Sequence, residues 1–140
     1  MANKIIIDDG FKTYDIENKE GKVLGQFSFN PSDTSIIYRH EKVLKDLSDL
    51  SFQLKDGEEN IEEEFRRIEG VISEKINYLL NANAADSFFS IMGPLTPLEN
   101  GQYFIESVLD AIGQAIQIET GERVQKISNK ISKHTSKYHG

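Results

Sequence analysis

Cysteine and tryptophan are absent from this chain of 140 residues, and proline and methionine are scarce. Without cysteine there is no disulfide framework, no thiolate nucleophile and no thiolate ligand for a metal. Long apolar runs are missing too. The opening Ile5-Ile6-Ile7 is far too short for a signal peptide or a spanning helix, so a cytoplasmic protein without membrane contact is expected. Hydrophobic residues make up only 38% of the chain, which permits one modest core and leaves apolar surface for partners to complete.

Positive charge is also in short supply. The net charge is −7, which argues against general binding to nucleic acid. The deficit is uneven: residues 1–119 hold 11 Lys/Arg against 22 Asp/Glu, whereas residues 120–140 hold 5 against 1. A basic tail on an acidic body can meet a polyanion, or the acidic body of a second copy.

What the chain does contain is helical periodicity behind a short stretch of strand. Phe27 and Phe29 alternate with Gln26 and Ser28, and residues 11–16 alternate likewise, with Asn18-Lys-Glu-Gly21 as turn chemistry between them. Ile5–Ile7 reads as a further short strand. At Asn30-Pro31-Ser32-Asp33 the period changes: Asn30 is suited to cap a helix, Pro31 to its first turn and Asp33 to its free N–H groups.

A long first helix is therefore predicted over 31–55, with Ile36, His40, Val43, Leu47, Leu50 and Leu54 spaced 4, 3, 4, 3, 4 along a seam that Ile37 and Leu44 flank. Asp56-Gly57 ends it. A second helix over 58–80 carries the stripe Ile61, Phe65, Ile68, Ile72, Ile76, Leu79, and Glu58, Glu59, Glu62, Glu63 and Glu64 load its first turns. A short third helix runs from Ala84 to Met92. A fourth begins at the capping box Thr96-Pro97-Leu98-Glu99, buries Ile105, Leu109, Ile112 and Ile116, and is open to a break at Thr120-Gly121.

The fold class expected is mainly α (α+β): a helical bundle of about four helices with a small N-terminal β-hairpin. Residues 1–120 form the globular domain, with the hairpin in 4–29 and the bundle in 31–120. Residues 121–140 form a basic C-terminal segment with room to be flexible.

No catalytic constellation stands out. His40 lies in the apolar seam, where a packed histidine is the ordinary reading, and His134 and His139 lie in the tail. The Glu cluster lacks the alternating Asp/Asn and Gly of a calcium loop and reads as a solvated helix face. No Gly-Lys-Ser/Thr follows Gly25, so no phosphate loop forms there. A protein without enzymatic activity, metal or cofactor is expected. Two groups remain as candidate partner-binding residues. One is Phe88, Phe89, Ile91 and Met92. The other is the tail, with Val124, Ile127 and Ile131 beside the basic stripe Lys126, Lys130, Lys133 and Lys137.

The corner Phe29-Asn30-Pro31-Ser32-Asp33, with a basic residue at Arg39, an acidic linker, the segment Asn83–Gly93 and a Lys-rich final helix, resembles the tail assembly chaperones of siphophages and prophages of Gram-positive bacteria. The resemblance runs from about Val23 to about Lys130; Leu80-Asn-Ala-Asn83 stands where that family carries a Phe-Gly turn. It implies a chaperone that coats the helical tape-measure protein, recruits tail-tube protein, assembles with copies of itself in the bacterial host cytoplasm and is absent from the mature virion. The alternatives are a structural tail component, such as a completion or connector protein retained in the virion, or a small nucleic-acid-binding regulator.

Overall fold

Asn18 turns the chain back on itself: its Oδ1 accepts the backbone N–H groups of Glu20 and Lys22, at 2.9 and 3.0 Å, and Gly21 takes a φ of +83°. The computed structural model describes residues 2–50 and 61–139, with side chains through residue 121. The strands that flank this turn, β1 (Lys12–Glu17) and β2 (Val23–Phe29), pair antiparallel with Tyr14 opposite Phe27. Four helices follow among the described residues: α1 (Ile36–Ser48), α2 (Ile61–Leu80), α3 (Ala85–Phe89) and α4 (Phe104–His139). The fold is thus mainly α with a small N-terminal β-hairpin, as expected.

One face of the hairpin is aromatic and closes the core. Tyr14, Phe27 and Phe29 stack with ring centroids 5.2–5.6 Å apart, and Phe27 meets Phe88 of α3 at 4.7 Å. Gly25 makes this approach possible, because a Cβ there would lie 3.0 Å from the Ser87 carbonyl oxygen. Burial holds the Tyr14 hydroxyl above its ordinary pKa, with the nearby Glu119 charge adding to the effect. Beneath the hairpin, Phe29, Ile36, Val43, Ile76, Leu79, Leu80 and Ile112 are fully enclosed.

Several boundaries differ from expectation for local reasons. Ile5–Ile7 forms no strand, because no strand of the described chain lies alongside it. Helix α1 begins at Ile36 rather than Pro31: Asn30 Oδ1 is occupied by the N–H of Ser32 and Asp33 Oδ1 by that of Ser35, so two turns precede the helix. It closes at Ser48, and the predicted remainder at 51–55, including Leu54, lies outside the described residues, as do Glu58 and Glu59. The stripe of α2 is buried from Ile68 onward, whereas Ile61 and Phe65 are exposed past the end of the core.

Helix α3 is only five residues long, because Ser90 already caps its end. Its start is capped from α2, where Asn77 Oδ1 accepts the N–H groups of Ala84 and Ala85, both at 2.8 Å. Helix α4 starts at Phe104 and not at Thr96. The residues between form a tight reversal, with a bridge between Pro97 and Tyr103 and Gly101 at φ +85°. The carboxylate that caps α4 belongs to Glu106, whose Oε2 accepts Tyr103 N–H at 2.7 Å. The helix then runs unbroken through Thr120 and Gly121.

Ile72 should be the more sensitive of the two residues that line the α1–α2 contact, since it is buried and Leu47 is only half-buried. Ile72→Ala is expected to cost about 2–5 kcal/mol by urea denaturation, and Leu47→Ala distinctly less.

Candidate functional site

The corner that dominates the sequence is a clasp. The Arg39 guanidinium donates from Nε to the Leu79 carbonyl at 3.0 Å, and from Nη1 to Ser35 Oγ at 2.6 Å and Asp33 Oδ2 at 3.3 Å. One side chain thereby ties the entry of α1 to the exposed carbonyls at the end of α2, where positive charge is favoured. The N–H and hydroxyl of Ser35, with the Arg39 charge, hold the Asp33 carboxyl below its usual 3.8. Asn81 ends α2 with a φ of +48°, a left-handed conformation that Asn tolerates better than most residues.

Farther along the same pair of helices, Asp46 Oδ2 accepts from Lys42 at 3.0 Å and from Lys75 at 2.8 Å, which binds α1 to α2 a second time. These two hydrogen bonds, that from Lys75 first, pull the Asp46 carboxyl below its ordinary value.

An apolar cleft of about 340 Å³ lies between the C-terminal half of α1, α2 and the start of α4. Leu44, Leu47 and Leu50 form one wall, Ile68 and Ile72 another, and Leu95, Tyr103 and Leu109 the third. Leu44 and Tyr103 are substantially exposed, so the cleft is open to solvent. Ile61 and Phe65 continue the α2 stripe at helical spacing, two turns and one turn before Ile68 respectively. Glu106 is the charged residue of its lining, Asp110 follows Leu109 in sequence, and Glu62, Glu63 and Glu64 lie in the first turn of α2. Arg66 and Arg67 are engaged there by Glu62 and Glu64.

The sequence candidates fall elsewhere. Phe88 is in the core against Phe27 and is not available to a partner in this arrangement, which corrects its place among the binding residues. Phe89, which packs edge-on against Phe104, is half-buried, as are Ile91 and Met92. Val124, Lys126, Ile127, Lys130, Ile131, Lys133 and Lys137 belong to the helical backbone of α4, and their side chains lie outside the described residues. His40 is half-buried against α4, with Nε2 enclosed and unpartnered 3.2 Å from where a Cβ on Gly113 would stand.

The cleft residues Leu44, Leu95, Tyr103 and Leu109 are absent from the sequence candidates. Leu44 flanks the predicted seam and Leu109 belongs to the predicted core stripe, so the available signal is one apolar residue more than each helix face requires. No family model, curated protein or solved structure matches this chain. Among the described residues no helix is long and apolar enough to cross a membrane.

Arg39→Ala should destabilise the fold by about 1–3 kcal/mol, the range for hydrogen bonds to a charged group, and Arg39→Lys should recover only part of the loss because one ammonium cannot span the carbonyl and the carboxylate. Because the Asp33 pKa is lowered by folding, its stabilisation is present at neutral pH and fades as pH falls below its usual 3.8. Thermal melts from pH 6 to pH 2.5 should therefore drop less steeply for Asp33→Asn than for the parent chain.

Proposed function

We propose that this protein is a non-enzymatic assembly chaperone of the phage-tail type, and that the α1–α2–α4 cleft receives an amphipathic helix of its client. The open apolar cleft carries this reading. A helix laid across it would bury leucine-sized side chains at i, i+3/i+4 and i+7 against Leu44, Leu47, Leu50 and Tyr103, the lining residues that keep exposed surface. Glu106 in the lining favours a helix flanked by lysine or arginine and disfavours one flanked by glutamate. Long helical proteins such as a tape measure supply such stripes in quantity. A shallow, solvent-open site also suits a chaperone, which must release its client as the tail tube forms around it.

The resemblance of Phe29-Asn30-Pro31-Ser32-Asp33 and Arg39 to tail assembly chaperones supports the same reading, and names the tape-measure and tail-tube proteins as partners. The protein then acts in the bacterial host cytoplasm and leaves before the virion is complete. Self-association belongs to the proposal: the basic stripe from Lys126 to Lys137 has the charge to meet the acidic start of α2 in another copy.

Co-expression with the tape-measure protein encoded beside it should keep that protein soluble, and Leu44→Asp should abolish the effect without unfolding the chain, since Leu44 is 43% exposed and outside the buried core. In a direct titration, a leucine-striped helical peptide flanked by lysines should bind the parent at least about tenfold more tightly than it binds Leu44→Asp, a difference of about 1.4 kcal/mol. Equal binding to both proteins, or a tape-measure protein that stays insoluble, would count against the proposal. Recovery of the protein from purified virions would favour the structural tail component instead.

A further inference from the structure

Lys4-Ile5-Ile6-Ile7-Asp8 has no role in the fold described so far. Ile5, Ile6 and Ile7 are 85%, 94% and 78% exposed, and none is in a helix, turn or paired strand. Isolated exposed apolar residues are ordinary, but three consecutive β-branched ones are a strand without a sheet.

The segment departs from the body through a built elbow. Asp8 Oδ1 accepts Gly10 N–H at 2.9 Å, and Asp9 Oδ1 accepts Phe11 N–H at 3.0 Å. Gly10 takes a φ of +71°, and a Cβ there would lie 2.7 Å from Asn30 Nδ2, which itself donates to the Asp9 carbonyl. The corner that starts α1 therefore also sets where the segment leaves, and keeps it apart from the hairpin.

The segment is complementary in charge to its own reverse. Laid antiparallel against a second copy about Ile6, Lys4 faces Asp8, Ile5 faces Ile7 and Ile6 faces its own counterpart. Both ends then carry opposite charges across the strands, with isoleucine pairs between them. A slip of one residue in one direction sets Lys4 against Asp9, but it also puts Ile5 opposite the charged Asp8 on both strands, and a parallel arrangement sets Lys4 against Lys4 and Asp8 against Asp8. Self-complementarity of this kind is what a two-fold interface demands.

We propose that Lys4–Asp8 is a dimerisation strand, which pairs antiparallel with the same segment of a second copy about a two-fold axis through Ile6. The proposal does not depend on the chaperone reading and does not use the cleft or the basic tail.

The absence of cysteine gives a clean test. At high salt, which screens the contact proposed between the basic tail and α2, the parent chain should sediment at twice its 15.9 kDa mass, and Ile6→Asp should shift it to the single-chain mass with an unchanged helical circular dichroism signal. Under mild oxidation Ile6→Cys should form a disulfide-linked dimer, because the two residues are direct cross-strand neighbours. Lys4→Cys should not, because its counterpart lies four residues away along the ribbon, about 13 Å. A parent chain that stays monomeric at every concentration overturns the proposal. A dimer that survives Ile6→Asp does so too. Equal coupling by the Lys4→Cys and Ile6→Cys variants also overturns it, since the segment would then lie against some other surface such as a hairpin edge.

Discussion

The placement of α1 against α2 depends on one guanidinium. Arg39 reaches the Leu79 carbonyl, the Ser35 hydroxyl and the Asp33 carboxylate together, so the corner after β2 and the end of α2 are held by the same planar group. Its side chain is largely buried, which limits competition from water. The hairpin enters this arrangement through Phe29, fully enclosed one residue before the corner begins. Asp46, bridged to Lys42 and Lys75, fixes the two helices again about two turns farther along α1.

With these points set, the apolar material of the chain is unevenly spent. Around Phe29, Ile36, Ile76, Leu79 and Leu80 it is sufficient to exclude solvent. Toward Leu44, Leu50 and Tyr103 the chain still presents apolar side chains, which the described residues cover only in part. A low hydrophobic fraction thus leads to a closed core at one end of the helix pair and an open cleft at the other. The charged residue in the lining of that opening, Glu106, is acidic, so its shape and its charge favour the same kind of occupant: an apolar helix with basic flanks.

Amphipathic periodicity was legible from the sequence wherever it ran for several turns. The stripe from Ile68 to Leu79 and the series Ile105, Leu109, Ile112, Ile116 are buried as their spacing requires, and the strand alternation of residues 12–17 and 23–29 produced the hairpin. Helix starts were less legible. Asn30 and Thr96 have the chemistry of caps, but Asn30 is used in a turn and Thr96 begins a reversal closed by Gly101, while the acceptors that do cap are Asn77, from another helix, and Glu106. A capping side chain can serve any nearby N–H group, and only the three-dimensional path selects which.

The sequence by itself determined the class of fold, the acidic body with a basic tail, the lack of thiol chemistry and the self-complementary order of charge and isoleucine in Lys4–Asp8, because composition and periodicity are properties of the chain alone. The tertiary structure decided that Phe88 is core and Leu44 is partly exposed, that Arg39 is a clasp, and that α1, α2 and α4 leave a cleft between them. These follow from the angle at which helices meet and from which residues run out of partners. Contacts between residues tens of positions apart set both, and local pattern carries no record of them.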